Sequence, residues 1–286
     1  MGKSVSILRP LYVCARRDMP TTEIPIQKTG FGRTMRRDAW WWQPLVVFLG
    51  LTSFIVYSTW AAFQGVHYTS GPYLSPFYSP EIFGSSPHAL MGPKPEIWPS
   101  WLPFSPALLI LWAPAGFRMT CYYYRGAYYK AFWADPPACA VSEPRKKYLG
   151  ENSLPLILQN IHRYFLYVAL IFIVLLGMDA VKGFWFADEE TGKGSFGIGI
   201  GSLVLVINVV LLGGYTFGCH SFRHLVGGVR DRLSRSSRPR QCVFDCVSCL
   251  NRGHMRFAWM SLFWVGFTDV YVRLCSMGIW TDFRIF

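Results

Sequence analysis

Charge is what this 286-residue chain has least of: Asp, Glu, Lys and Arg make up 15% of it, against 52% hydrophobic residues. Acid is the scarcer sign, with 16 Asp and Glu facing 28 Lys and Arg for a net charge of +12. So thin a polar coat excludes the pair of soluble domains that length alone would allow. The basic stretch 1–39 lacks an apolar segment followed by a cleavage site, so no secretory leader is expected there. Its opening Met-Gly-Lys-Ser-Val-Ser fits a loose acylation pattern, read here as chance. No clear internal repeat is evident, and the outer ends of the apolar segments carry no set of metal-ligand residues.

What is present is apolar sequence in long runs. Five stretches, near 40–64, 104–127, 158–181, 196–222 and 255–279, are each long enough to cross a hydrocarbon core as a helix. The expected fold is an all-α integral membrane protein: a basic arm over 1–39, then a bundle of five transmembrane helices over 40–282. Basic residues set its orientation. With five spans, segments 1–39, 125–157 and 223–256 share one face and carry 21 Lys and Arg, while 65–103 and 182–197 carry three. The N-terminus is therefore expected in the cytoplasm, in the plasma membrane. The positive charge reflects that asymmetry and suits anionic lipid or a soluble partner, not nucleic acid. Seven of the eight cysteines then lie on the reducing side, which argues for thiols or metal ligands over disulfides.

Ionisable and soft side chains at membrane depth cost free energy, so they mark candidate sites. The stretch LLGGYTFGCHSFRHLVGG (211–228) places Cys219, His220, Arg223 and His224 just inside the cytoplasmic boundary. The second span supplies a polar stripe of Arg118, Cys121, Tyr122 and Arg125 at helical spacing. The third opens with His162 and the fifth with His254. Thiolate and imidazole together suit iron–sulfur clusters, zinc, copper or haem. Two histidines and two cysteines, one per helix, match a Rieske-type [2Fe–2S] centre, in which histidines replace cysteines on one iron. The preferred set is Cys121, Cys219, His162 and His254, with His220 as the substitute. One haem b held by two of His162, His220, His224 and His254 is the alternative. Cys242, Cys246 and Cys249 before His254 form a weaker zinc pattern. Asp269 and Arg273 stand four apart and read as a self-neutralising structural pair.

Arg223-His224-Leu225, LILQNIHRYF and CLNRGHMRFAWMSLF, taken with the stretch 211–228, carry a resemblance over roughly 105–282. They are similar to the membrane-anchor, cytochrome b-like subunit of succinate dehydrogenase (respiratory complex II), in its single-chain, five-helix actinobacterial type. The resemblance implies a flavoprotein subunit and an iron–sulfur subunit docked on the cytoplasmic face, electron transport to quinone, and an embedded Rieske-type cluster. The haem histidine usual seven residues before the R-H-L histidine is Phe217 here, which speaks against haem. Arg223, His224, Tyr122 and Arg125 are the candidate quinone-binding residues. No catalytic residue for succinate oxidation or flavin binding is evident, so that chemistry belongs to a partner. The rival readings are a haem b subunit of another quinone oxidoreductase and a non-redox transporter.

Overall fold

The uncharged run Trp42–Gln64 forms helix α1, which stops where Gly65 takes a left-handed conformation (φ 62°). The computed structural model describes residues 30–101, 103–144, 154, 156–187, 194–228 and 238–286. Cys14, the acylation-like opening, Arg145-Lys146-Lys147 and Asp188–Glu190 lie outside the described residues, as does the basic loop 229–237. The described chain is mostly helical. Strands β1 (Thr69–Ser70) with β2 (Tyr73–Leu74), and β3 (Trp185–Ala187) with β4 (Gly194–Phe196), form two short antiparallel hairpins.

Among the described residues, three helical segments are long and apolar enough to cross a membrane: Trp42–Gln64, Ile157–Lys182 and Ile200–Phe217. The second comprises a 3-10 turn and helix α5 (His162–Lys182); the third is α6. Helix α9 (His254–Ser276) has the length, 23 residues, but carries Arg256, Asp269 and Arg273.

The expected continuous helix over 104–127 is broken. It runs as α2 (Pro106–Ile110), α3 (Trp112–Met119) and α4 (Tyr122–Tyr128), followed by a π-helical turn, Tyr129–Trp133. Pro114 has no N–H to return to the Ile110 carbonyl, which explains the interruption at Leu111. At the second break the Thr120 hydroxyl donates to the Gly116 carbonyl at 2.7 Å, and Cys121 is extended (φ −63°, ψ 128°). The expected helix 196–222 breaks in the same way. It ends at Phe217, Cys219 is extended (φ −63°, ψ 140°), and α7 (His220–Gly227) starts afresh. An apolar period does not report such breaks, because the residues on either side stay apolar.

Helix α6 packs chiefly on α9 and α5, and α3 packs on α5. One core cluster includes Phe117, Cys121, Tyr124, Leu166, Tyr215, Cys219 and Leu262. A second gathers Ala61, Tyr68, Leu74, Phe77, Tyr78 and Val265 beneath the connection 65–103. That connection is pinned by buried carboxylates. Asp269 accepts from Tyr57 and Ser75 and pairs with Arg273 at 3.4 Å, the i,i+4 contact that the spacing predicts. Asp179 accepts from Ser79, and Glu81 from Tyr68 and Ser86. Burial and the Glu81 carboxylate push the Tyr68 hydroxyl up to about 12, which keeps it a donor.

Candidate redox site

Both cysteines of the preferred set sit in extended backbone at helix breaks, which turns them off the helix surface and into the core. Cys121 and Cys219 are each 2% exposed. Each meets a histidine that opens a long helix. The Cys121 Sγ lies 3.5 Å from His254 Nε2, and the Cys219 Sγ lies 3.1 Å from His162 Nε2. The two halves are also within electrostatic reach of each other, Cys121 with Cys219 and His162 with His254. Four residues far apart in sequence therefore converge as two Cys–His pairs. Among the described residues, no three His, Cys, Asp or Glu side chains surround a single point closely enough to hold one ion.

Aromatic rings fix the imidazole planes. Phe117 stacks on His162 (centroids 4.7 Å apart, 8° between planes), and Tyr215 stacks on His254 (5.0 Å, 12°). The Thr120 hydroxyl, whose proton goes to Gly116, lies 2.9 Å from His162 Nδ1. A hydroxyl with its one proton committed can only accept, so His162 carries its proton on Nδ1 and presents the bare Nε2 to Cys219. His254 has no such partner; its Nδ1 is buried without a hydrogen bond. Arg118 lies over the Tyr215 ring at 4.6 Å and donates to Tyr124, Ser261 and the Ala258 carbonyl. Among the described residues it has no carboxylate partner.

The donor chemistry fits an iron–sulfur group: two buried sulfurs, two imidazoles with fixed planes, and no carboxylate among them. The other candidates fall elsewhere. His220 faces His224 (Nε2 to Nε2, 3.0 Å) on the surface of α7, and neither joins a Cys–His pair. Arg223 donates to Ser248 at 3.0 Å and covers the Phe244 ring. Tyr122 is 66% exposed with Arg125 stacked over its ring at 4.6 Å. Cys242, Cys246 and Cys249 are exposed along helix α8 (Arg238–Arg252), while the histidine of that zinc pattern is turned to Cys121 instead.

Sequence reasoning missed Phe117, Thr120 and Tyr215, and with them an internal repeat. Residues 116–125 read G-F-R-M-T-C-Y-Y-Y-R and residues 214–223 read G-Y-T-F-G-C-H-S-F-R; each is followed by H-x2-F, at 162–165 and 254–257. The contacts repeat as well. A Cβ on Gly116 would strike Phe165, and one on Gly214 would strike Phe257. In each half the aromatic stacks on its own histidine, while the cysteine reaches across to the histidine of the other half.

Fold and site together define a helical membrane protein in which, among the described residues, the buried soft donors gather as a duplicated Cys–His pair. The sequence model of the family described as actinobacterial succinate dehydrogenase subunit SdhC matches residues 42–278. A solved structure, the Mycobacterium smegmatis Sdh1 complex in the apo form, contains a chain 41% identical to this one. The match covers 92% of this chain and 97% of that chain, with a TM-score of 0.80. No curated protein matches. The chain belongs to the actinobacterial SdhC family, the membrane subunit of succinate dehydrogenase.

Proposed function

We propose that this chain crosses the plasma membrane five times from a cytoplasmic N-terminus and carries electrons inward from docked subunits to quinone. The flavoprotein and iron–sulfur subunits would dock on the basic cytoplasmic face, where like-signed charge steers an acidic partner. Cys121, His162, Cys219 and His254 would hold a [2Fe–2S] group, which when bound supplies a one-electron relay inside the membrane. The observation that carries this reading is the convergence of two thiols and two imidazoles from four separate segments at 3.1 and 3.5 Å.

The chain's own residues do the rest. Phe117 and Tyr215 hold the ring planes and keep water from the pairs. Arg118 supplies a positive charge that favours electron arrival on a neighbouring group. A cavity of about 380 Å³ opens beside them, lined by Phe54, Phe77, Leu111 and Ile173 and floored by Phe117, Arg118 and Tyr215. It suits a ring with an apolar tail. Tyr122, Arg125, Arg223 and His224 lie on the helices beyond the two breaks, where they would serve quinone oxygens or proton delivery from the cytoplasm.

The test is iron, acid-labile sulfide and low-temperature EPR on the purified complex, with His162→Ala and Cys219→Ser alongside. Iron and sulfide beyond the soluble subunits' complement, lost in both variants, is the expected result. Stoichiometric haem with no extra sulfide would overturn the cluster and leave the anchor.

A further inference from the structure

We propose that a para-quinone binds across the axis of the internal repeat, one ring oxygen at the Arg118 guanidinium and the other at the Thr216 hydroxyl. This deepens the quinone reading above and rests on it. Three observations carry it. The first is where the cavity lies. Its lining pairs Phe117 with Tyr215, Arg118 with Thr216 and Ile173 with Val265. The registers that match Cys121 with Cys219 and His162 with His254 also match the members of each of these pairs. Both halves thus give the same positions to its wall, and the cavity straddles the axis that relates them. A para-quinone carries its oxygens at opposite ends of the ring, so a ring on that axis presents one to each half.

The second is which polar groups of the lining are free to meet those oxygens. Ser58 donates to the Ile55 carbonyl of its own helix, and Thr59 is exposed. The Tyr215 ring is taken up by His254 and Arg118. Arg118 spends three of its five N–H groups on Tyr124, Ala258 and Ser261, which leaves two. Thr216 is buried. The hydroxyls of Thr120 and Thr268 donate to carbonyls one turn back, whereas that of Thr216 has no hydrogen-bond partner among the described residues. A buried hydroxyl facing a cavity is a ready donor to an oxygen placed there.

The third is charge. The repeat sets a cation on one side of the axis and a neutral hydroxyl on the other, so the two oxygens are not equivalent. Reduction gathers negative charge on the ring oxygens, and the one beside the guanidinium takes the larger share. Two electrons from the relay and two protons from the cytoplasmic face complete the quinol. Tyr122, Arg125, Arg223 and His224 are left with proton delivery.

The test follows quinone reduction by the complete complex with a decyl-substituted benzoquinone. Succinate oxidation with a dye that takes electrons from the soluble subunits is measured beside it. Thr216→Val keeps the shape and removes the hydroxyl. The expected result is a rise of about tenfold in KM for the quinone, a smaller change in kcat and an unaltered dye reaction. Thr216→Ser should restore KM. Arg118→Gln keeps donors and removes the charge, and should lower kcat by about a hundredfold. A trapped semiquinone should show two unequal exchangeable proton couplings by electron–nuclear double resonance, one of which Thr216→Val loses. Wild-type KM with both couplings kept in Thr216→Val would overturn the proposal. So would a raised KM that Thr216→Ser fails to restore, since the residue would then be structural. Quinone reduction that survives His162→Ala unchanged would instead bring down the relay reading itself.

Discussion

Thr120→Val is the most informative single substitution, because it keeps the shape and removes one hydroxyl. Thr120 is 1% exposed, and its oxygen both donates to Gly116 and accepts from His162 Nδ1. Valine takes the hydroxyl acceptor from that buried imidazole N–H, at a cost of about 1–3 kcal/mol. It also frees the ring to exchange tautomers and to present a protonated Nε2 to Cys219. Loss of an outer hydrogen bond of this kind lowers metal retention by about 10–100-fold. If the pairs hold the proposed cluster, the expected result is a complex that assembles but releases its iron to a chelator on that scale faster, with shifted EPR g-values in what remains. Thr120→Ser should restore both, since serine keeps the oxygen. Wild-type iron retention and an unchanged EPR spectrum in Thr120→Val would refute the reasoning. A purely structural role for the residue would lower the melting temperature without moving the spectrum.

Gly218→Ala should damage the other half of the site. An added Cβ would stand 3.0 Å from the Leu250 carbonyl and closer still to that of Gly214, so backbone must move. Overpacking of this kind costs about 1–3 kcal/mol, and the adjacent Cys219 should be displaced, read as lost iron in a chain of near-normal expression. At the opposite end, Arg273→Leu would strand the Asp269 carboxylate, 0% exposed, with only Tyr57 and Ser75 as donors. Breaking one side of a buried pair costs about 3–5 kcal/mol; thermal unfolding should show it, and adding Asp269→Asn should recover part of the loss. Tyr68 sets a pH dependence. Its folded value is raised from 10 to about 12, so the stability it lends the 65–103 connection is complete below about pH 10 and is lost as pH climbs through 12. Proteolysis of that connection should accelerate over this window, and Tyr68→Phe should abolish the step.

How much of this was legible follows from what apolar periodicity can and cannot encode. The long uncharged runs at 42–64 and 200–217 read directly as helices, since nothing else satisfies backbone groups in lipid. The soft donors were legible for the opposite reason: Cys121, His162, Cys219 and His254 are costly at that depth and therefore stand out. Their partnership was not legible. A continuous helix would put Cys121 on a stripe with Arg118 and Arg125, and it is the break at Thr120 that turns the sulfur toward His254 instead. The trace of that break is a threonine whose side chain competes for the Gly116 carbonyl, a signal too common to weigh by itself.

The repeat explains why a membrane chain tolerates two interrupted helices. Each break exposes backbone groups that an intact helix would satisfy, and within lipid such interruption survives only where protein surrounds it. Here each break is covered from the other half. Cys121 meets His254 of the second half and Cys219 meets His162 of the first. Neither half is self-sufficient, so the crossed Cys–His contacts tie the two together. Removing a contact residue from one half should therefore loosen the other. In Cys121→Ser, hydrogen exchange at the Gly218–Cys219 break should rise along with that at Thr120, whereas a site of two independent halves would leave Gly218–Cys219 unchanged.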